Sequence, residues 1–169
     1  MLREFNPDDA PAVVAYHLDP EVMRFLPVAV SQNRTLDAIV APLQQTSEEA
    51  SRVPRLNYDL AVTVDGSVVG AARLHRQSID PAAGEIGYIL RRDAWGRGLG
   101  TETARLLLGH GFDALGLHRI WATVDQFNVA STRVLEKAGM RCEGALEVQR
   151  QITEGRNASL LYVMSRHDW

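Results

Sequence analysis

The chain of 169 residues is poor in several things, and each scarcity excludes a class of protein. It has one cysteine, Cys142, so no intramolecular disulfide can form, and no Cys/His spacing suggests zinc or another metal. Apolar runs are short, and none approaches the roughly 20 residues that a membrane-spanning helix needs. The opening MLREFNPDDA is charged and acidic, without the basic start and apolar run of a signal peptide, so a cytoplasmic location is expected. Basic excess is also missing. Eighteen Lys and Arg stand against 21 Asp and Glu, for a net charge of −3, which gives a nucleic acid no basic surface to bind. Proline is absent after Pro81, so a punctuated first half precedes long unbroken elements. Hydrophobic and charged contents of 46% and 23% are globular values, and no repeat or linker divides the chain. One domain, residues 1–169, is expected.

What the chain does have is a glycine-rich stretch, RRDAWGRGLGTE, from Arg91 to Glu102. It follows a strand-like run, Gly84 to Leu90, and opens a helical one, Thr101 to Phe112. Gly96, Gly98 and Gly100 alternate with Arg97 and Leu99. Glycine permits φ > 0 and close approach of backbone to a ligand. A glycine turn at a helix start aims unpaired N–H groups and the positive end of the helix dipole at one place, which suits phosphate or pyrophosphate. Three readings compete. A dinucleotide loop would be GxGxxG directly after its strand, whereas here the spacing is GxGxG and Arg91 to Trp95 intervene. A Walker A loop would end in Gly-Lys-Ser/Thr, which is absent. The third pattern, Gln/Arg-x-x-Gly-x-Gly/Ala, is that of the pyrophosphate loop of acetyl-CoA-dependent N-acetyltransferases. Trp95 to Gly100 resembles it except for Trp95 at the first position.

Taken in order, Leu2 to Phe5 reads as an edge strand. Asp8 caps a helix to about His17 with Pro11 in its first turn, and a second short helix spans Pro20 to Phe25. Leu36, Ile39, Val40 and Leu43 keep helical spacing, with Pro42 kinking or ending that helix. Asp59–Val64 and Val68–Arg73 flank Asp65-Gly66-Ser67, a hairpin signal that argues for an antiparallel sheet and against a nucleotide-dependent oxidoreductase in which Asp125 would read a ribose. His75 to Ala83 reads as a loop, and Glu85 to Leu90 as the strand before the glycines. The next helix buries Ala104, Leu107, Leu108, Gly111 and Leu115. His118–Val124 is a strand with Ile120, Ala122 and Val124 on one side. Asn128 caps a helix from Val129 to Ala138 that Gly139 ends. Glu143–Ile152 and Ala158–Ser165 form a last hairpin about Glu154-Gly155-Arg156. The class is α+β, with one βαβ crossover.

The element order, WGRGLGTE, EIGYIL, NVASTRVLEKAGM and the ending YVMSRHDW together resemble the GNAT superfamily of N-acetyltransferases, and most of all its RimJ/RimL-type branch. The resemblance covers nearly the whole chain and is strongest from Gly84 to Met140. It implies a mostly antiparallel sheet with a central splayed parallel pair, acetyl-CoA as donor, and a primary amine as acceptor. The backbone of Ile89, Leu90 and Arg91 would pair with the pantetheine arm as an added strand, with an N–H near Ile89 polarising the acetyl carbonyl. Gly96, Arg97, Gly98, Leu99, Gly100 and Thr101 would hold the pyrophosphate, and Asn128 the CoA arm. Homodimerisation is left open.

Two catalytic positions follow. Glu85 is the first choice for a base, directly or through water, with His75 second; each also has an ordinary structural explanation. Ser131 is the candidate acid for the departing sulfur, because the family's Tyr, four residues on, is Leu135 here. Asn128 and Ser131 also suit simple helix capping, and Arg133 and Lys137 suit either the CoA 3′-phosphate or solvent. Tyr88, Trp121 and Tyr162 read as core. The acceptor expected is a peptide or protein N-terminal amine. The alternatives are a small molecule (amino acid, polyamine or aminoglycoside) and a non-catalytic acyl-CoA-binding sensor.

Overall fold

The computed structural model describes residues 1–26, 39–40, 43, 50–146 and 159–169. Among them, seven strands form one sheet: β1 (Leu2–Glu4), β2 (Asn57–Val64), β3 (Ser67–Arg76), β4 (Ala83–Leu90), β5 (Arg119–Asp125), β6 (Arg141–Leu146) and β7 (Ser159–Ser165). Their order is β1-β2-β3-β4-β5-β7-β6. All neighbours are antiparallel except β4 and β5. The helices are α1 (Ala10–His17), α2 (Pro20–Met23), α3 (Leu99–Gly109) and α4 (Val129–Ala138). The fold is α+β with a mixed, mostly antiparallel sheet, as the element order implies.

Local chemistry explains most boundaries. Asp65 and Gly66 take φ 50° and 80°, the left-handed pair that closes a two-residue hairpin between β2 and β3. Ser67 therefore belongs to β3 rather than to the turn, and β3 runs on to Arg76 where the sequence suggested a loop from His75. α4 keeps the expected bounds: the Asn128 side chain accepts from Ser131 N–H, and Gly139, at φ 100°, ends it. α3 begins at Leu99, two residues earlier than the sequence suggested, because Gly98 can take φ 81° as its cap. It passes at His110–Ala114 into a π-helical turn, where Gly111 lies so close to Ile120 that a Cβ would clash at 2.5 Å.

At the N-terminus the expected cap is displaced. Pro7–Asp9 form a 3-10 turn, so Asp9 rather than Asp8 precedes α1. Asp9 is buried and takes both arms of Arg3, at 2.7 and 2.8 Å, while accepting from Asn6 N–H. The Arg3 hydrogen bonds hold its carboxyl below the usual carboxylate range. α2 stops at Met23, short of Phe25, and Asp19 caps it. Of the expected helix about residues 36–43, Leu36 and Pro42 lie outside the described residues, while Ile39 and Leu43 are buried. The turn at Glu154-Gly155-Arg156 also lies outside the described residues.

Each face of the sheet has its own core. Leu74, Ile86 and Ile120 pack with Leu107, Leu108, Phe112 and Leu135 beneath α3 and α4. Val13, Tyr16 and Val22 pack with Ile39 and Leu43 on the other face, against Ala71 and Ile89. Side chains alternate along a strand. Ile86, Tyr88 and Leu90 therefore face α3 and α4, while Glu85, Gly87 and Ile89 face α1 and α2. No helix among the described residues is long and apolar enough to cross a membrane.

Candidate active site

The only parallel pair among the described strands is also the shortest ladder at the centre of the sheet. β4 and β5 pair at Ala83↔Arg119, Gly84↔Ile120 and Glu85↔Trp121, and the ladder then stops although β4 continues to Leu90 and β5 to Asp125. β3 follows β4 throughout, from Arg76↔Gly84 to Gly70↔Leu90. The two parallel strands therefore splay, and β4 presents one bare edge to the opening.

Which groups line that edge follows from the register. Arg91 N–H donates to Val69 O at 2.8 Å, so Arg91 points at β3. In an antiparallel ladder hydrogen-bonded and non-hydrogen-bonded pairs alternate. Ile89 and Gly87 thus also turn N–H and C=O to β3, while Tyr88 and Leu90, beyond the last rung with β5, turn theirs to the opening. Of the positions expected to hold an extended arm, Leu90 faces it and Ile89 does not; Tyr88 takes Ile89's place. Trp95 Nε1 donates to Leu90 O at 2.8 Å, which leaves the Leu90 N–H directed into the opening. Through this bond Trp95 pins the glycine loop to the end of β4.

The polar side chains divide between the two faces. On the α1/α2 face, Glu85 Oε1 accepts from Thr123 Oγ1 at 3.2 Å, at the last rung of the parallel ladder. His75 is its direct neighbour across β3–β4, with Nδ1 held by Asn57 Oδ1. On the α3/α4 face, Tyr88 Oη donates to Ser131 Oγ at 3.3 Å, bridging β4 to the start of α4. Burial pushes the Tyr88 hydroxyl above the usual phenol range, against a smaller opposite effect of Ser131, so it is a proton donor at neutral pH. Glu85 and Ser131 are thus brought to one opening from opposite faces. Tyr88 is the residue that sequence reasoning missed by placing it in the core. Its ring does pack there, beside Gly100, but its hydroxyl does not. The even alternation with Ile86 and Leu90 was the available signal. Leu135 is fully core, at 3% exposure, and Tyr162 is buried with its hydroxyl on Glu136, pushed up to about 12 chiefly by burial.

The glycine loop closes the other end. Gly96 and Gly98 take φ 72° and 81°, and Gly100 fits where a Cβ would meet Val134 at 3.1 Å. As a glycine cap, Gly98 offers no side chain, so the N–H groups of Leu99, Gly100 and Thr101 at the first turn of α3 are left for a ligand. An open groove of about 570 Å³ begins there, lined by Gly98, Thr101, Glu102, Arg105, Leu106 and Lys137. Lys137 belongs to this groove; Arg133 is exposed on α4. Arg97 is exposed at the loop. Asn128 is occupied as the cap of α4.

Residues 1–141 match the model of the Acetyltransferase (GNAT) domain. The chain is similar to N-acetyltransferase p20 of Bacillus licheniformis, 30% identical over 149 residues that span 86% of this chain and 80% of that one. It is 29% identical over 85 residues to the spermidine N(1)-acetyltransferase of Escherichia coli strain K12, covering 50% of this chain and 46% of that one. A solved structure of Mycobacterium smegmatis RimJ in complex with CoA-disulfide shares the fold, with a TM-score of 0.86 at 24% identity over 99% of this chain and 82% of that one.

Proposed function

This chain belongs to the GNAT acetyltransferase family, and we propose that its acceptor is the α-amine of a peptide or protein N-terminus. The enzyme is an N-acetyltransferase that uses acetyl-CoA. The donor supplies an activated acetyl thioester. The residues present suit it: the cradle of Gly96 to Thr101 for a pyrophosphate, and the bare β4 edge for an extended amide chain. The N–H of Leu90 is placed to polarise a carbonyl in the opening. Glu85, from the α1/α2 face, takes a proton from the acceptor amine, directly or through water. Ser131 accepts from Tyr88 and so keeps its own hydrogen free to give to a leaving sulfur.

The observation that carries the choice of acceptor is the charge around Glu85. On that face Asp59 is paired with Arg73, and Glu143 with Arg119 at 2.7 Å. Glu85, by contrast, is held by the neutral Thr123 hydroxyl and has no ion pair among the described residues, which suits a monocation. A polyamine would call for several such carboxylates. Thiol release from acetyl-CoA tests this with tripeptide amides, spermidine, free amino acids and an aminoglycoside. Peptides are expected to exceed spermidine at least tenfold in kcat/KM. A preference for spermidine would transfer the assignment to polyamines. Acetyl-CoA binding without thiol release for any amine would mark a sensor.

The loop assignment has its own test. Gly98→Val forces a branched side chain into φ 81° at the α3 cap, where non-glycine residues are strained. Acetyl-CoA affinity by calorimetry is expected to fall at least tenfold with the fold retained by circular dichroism. An unchanged affinity would remove the pyrophosphate from this loop.

A further inference from the structure

Among the described residues, Gly87 is the one glycine at an ordinary φ whose missing Cβ would meet nothing within 4 Å. The others have evident reasons. Gly66, Gly96, Gly98, Gly116, Gly139 and Gly144 hold positive φ. Gly70, Gly84, Gly100, Gly109 and Gly111 have neighbours that a Cβ would touch or strike. A glycine inside a strand weakens it, and where no turn, bulge or packing requires one, close approach of a ligand is the remaining physical reason.

Its place fits that reason. Gly87 is exposed in the middle of β4, just past the last rung shared with β5. It lies on the α1/α2 face, two residues from Glu85 on one side and from Ile89 on the other. Ile89 packs into the cluster beneath α1 and α2, which closes that end. Directly across β3–β4 stands Arg73, whose side chain is 66% exposed while its Nε holds Asp59. Glu85 and exposed Thr123 bound the other end. The result is a strip of bare backbone between a carboxylate and a guanidinium.

We propose that Gly87 determines acceptor specificity: its bare backbone is the floor that receives the substituent on the carbon bearing the acceptor amine, with the amine at Glu85. The Arg73 guanidinium, across the register, suits the carbonyl oxygen of an N-terminal residue. This rests on the reading above that the acceptor approaches from the α1/α2 face. The class of substrate is a substituted-carbon primary amine, and the size of its substituent is limited by the room above Gly87.

The test uses Gly87→Ala and Gly87→Val in the full chain, with tripeptide amides that begin with Gly, Ala, Ser or Leu. Acceptor KM is expected to rise at least tenfold for Gly87→Val and less for Gly87→Ala, more steeply for Leu-initial than for Gly-initial peptides. Acetyl-CoA Kd by calorimetry is expected to hold, and Tm to hold or rise, since Val suits a strand better than Gly. A purely structural glycine would instead shift Tm and acetyl-CoA Kd together with KM. Acceptor KM within twofold of wild type in Gly87→Val, with Tm held, overturns the proposal. Should Gly87→Val not fold, the Gly87→Ala comparison across the four peptides decides. The peptide reading fails separately, on the wild-type enzyme alone, if spermidine is preferred. The Gly87 variants are then read with primary amines that differ only in branching at the amine-bearing carbon, n-butylamine and sec-butylamine, and an acceptor KM within twofold of wild type for both in Gly87→Val again overturns the proposal.

Discussion

Replacing Glu85 with Gln is expected to lower kcat/KM about 10²-fold at pH 6.5, the low end of what general base catalysis supplies, and by progressively less as the pH rises. The reason is the state of the acceptor. With an α-amine pKa of roughly 8, only about one molecule in thirty is neutral at pH 6.5, whereas most are neutral at pH 9. The base is needed most where the amine arrives protonated. Gln keeps the size and the hydrogen bond from Thr123 Oγ1, now at 3.2 Å, but cannot take a proton. An acceptor with a lower amine pKa should suffer less from the change. A loss of constant proportion from pH 6.5 to 9.5 would make Glu85 a binding or structural group. His75, its cross-strand neighbour, would then be the next residue to test.

Ser131→Ala is expected to reduce kcat by about 10²-fold or more while acetyl-CoA affinity stays within twofold. The two readouts separate because α4 keeps its cap: Asn128 accepts from the Ser131 backbone N–H, which Ala retains. Tyr88→Phe removes the donor that lies behind Ser131 at 3.3 Å. Its loss should be smaller in the wild-type background and almost absent in Ser131→Ala, because the two hydroxyls act in series. If Ser131→Ala keeps kcat within a factor of two, the hydroxyl is only a first-turn residue. If the two losses simply multiply, Tyr88 acts independently of Ser131.

The site was partly legible in advance. The Gly96–Gly100 loop, the Asn128 cap and Gly139 were readable because each depends on a φ sign or a side-chain bond within three residues. The β2–β3 hairpin was readable from Asp65-Gly66 for the same reason. Asp8 suits a cap by residue type, but the structure places a capping box between Asn6 and Asp9 one turn earlier. The contact with Arg3 draws the Asp9 carboxylate inward as well, and no residue type along the chain announces that contact. Tyr88 was assigned wholly to the core because aromatic burial and a bonded hydroxyl look alike in one dimension; its partner lies 43 residues away.

By itself, then, the sequence determined the elements that local chemistry encodes: the phosphate-type loop, the two long helices behind it, the hairpin, and the alternation that sends Glu85 and Tyr88 to opposite faces. It also carried, through its motifs, the family. Only the tertiary structure decided that the β4–β5 ladder ends at Glu85↔Trp121 and that β7 enters between β5 and β6. It alone decided that Leu90 rather than Ile89 faces the opening, and that no atom of the described residues lies within 4 Å of where a Gly87 Cβ would stand. The physical reason is range. A turn or a cap is settled by residues that are already neighbours along the chain. A ladder's stopping point, a gap's width and an empty space are settled by strands and helices distant in sequence, and no single stretch of residues contains them.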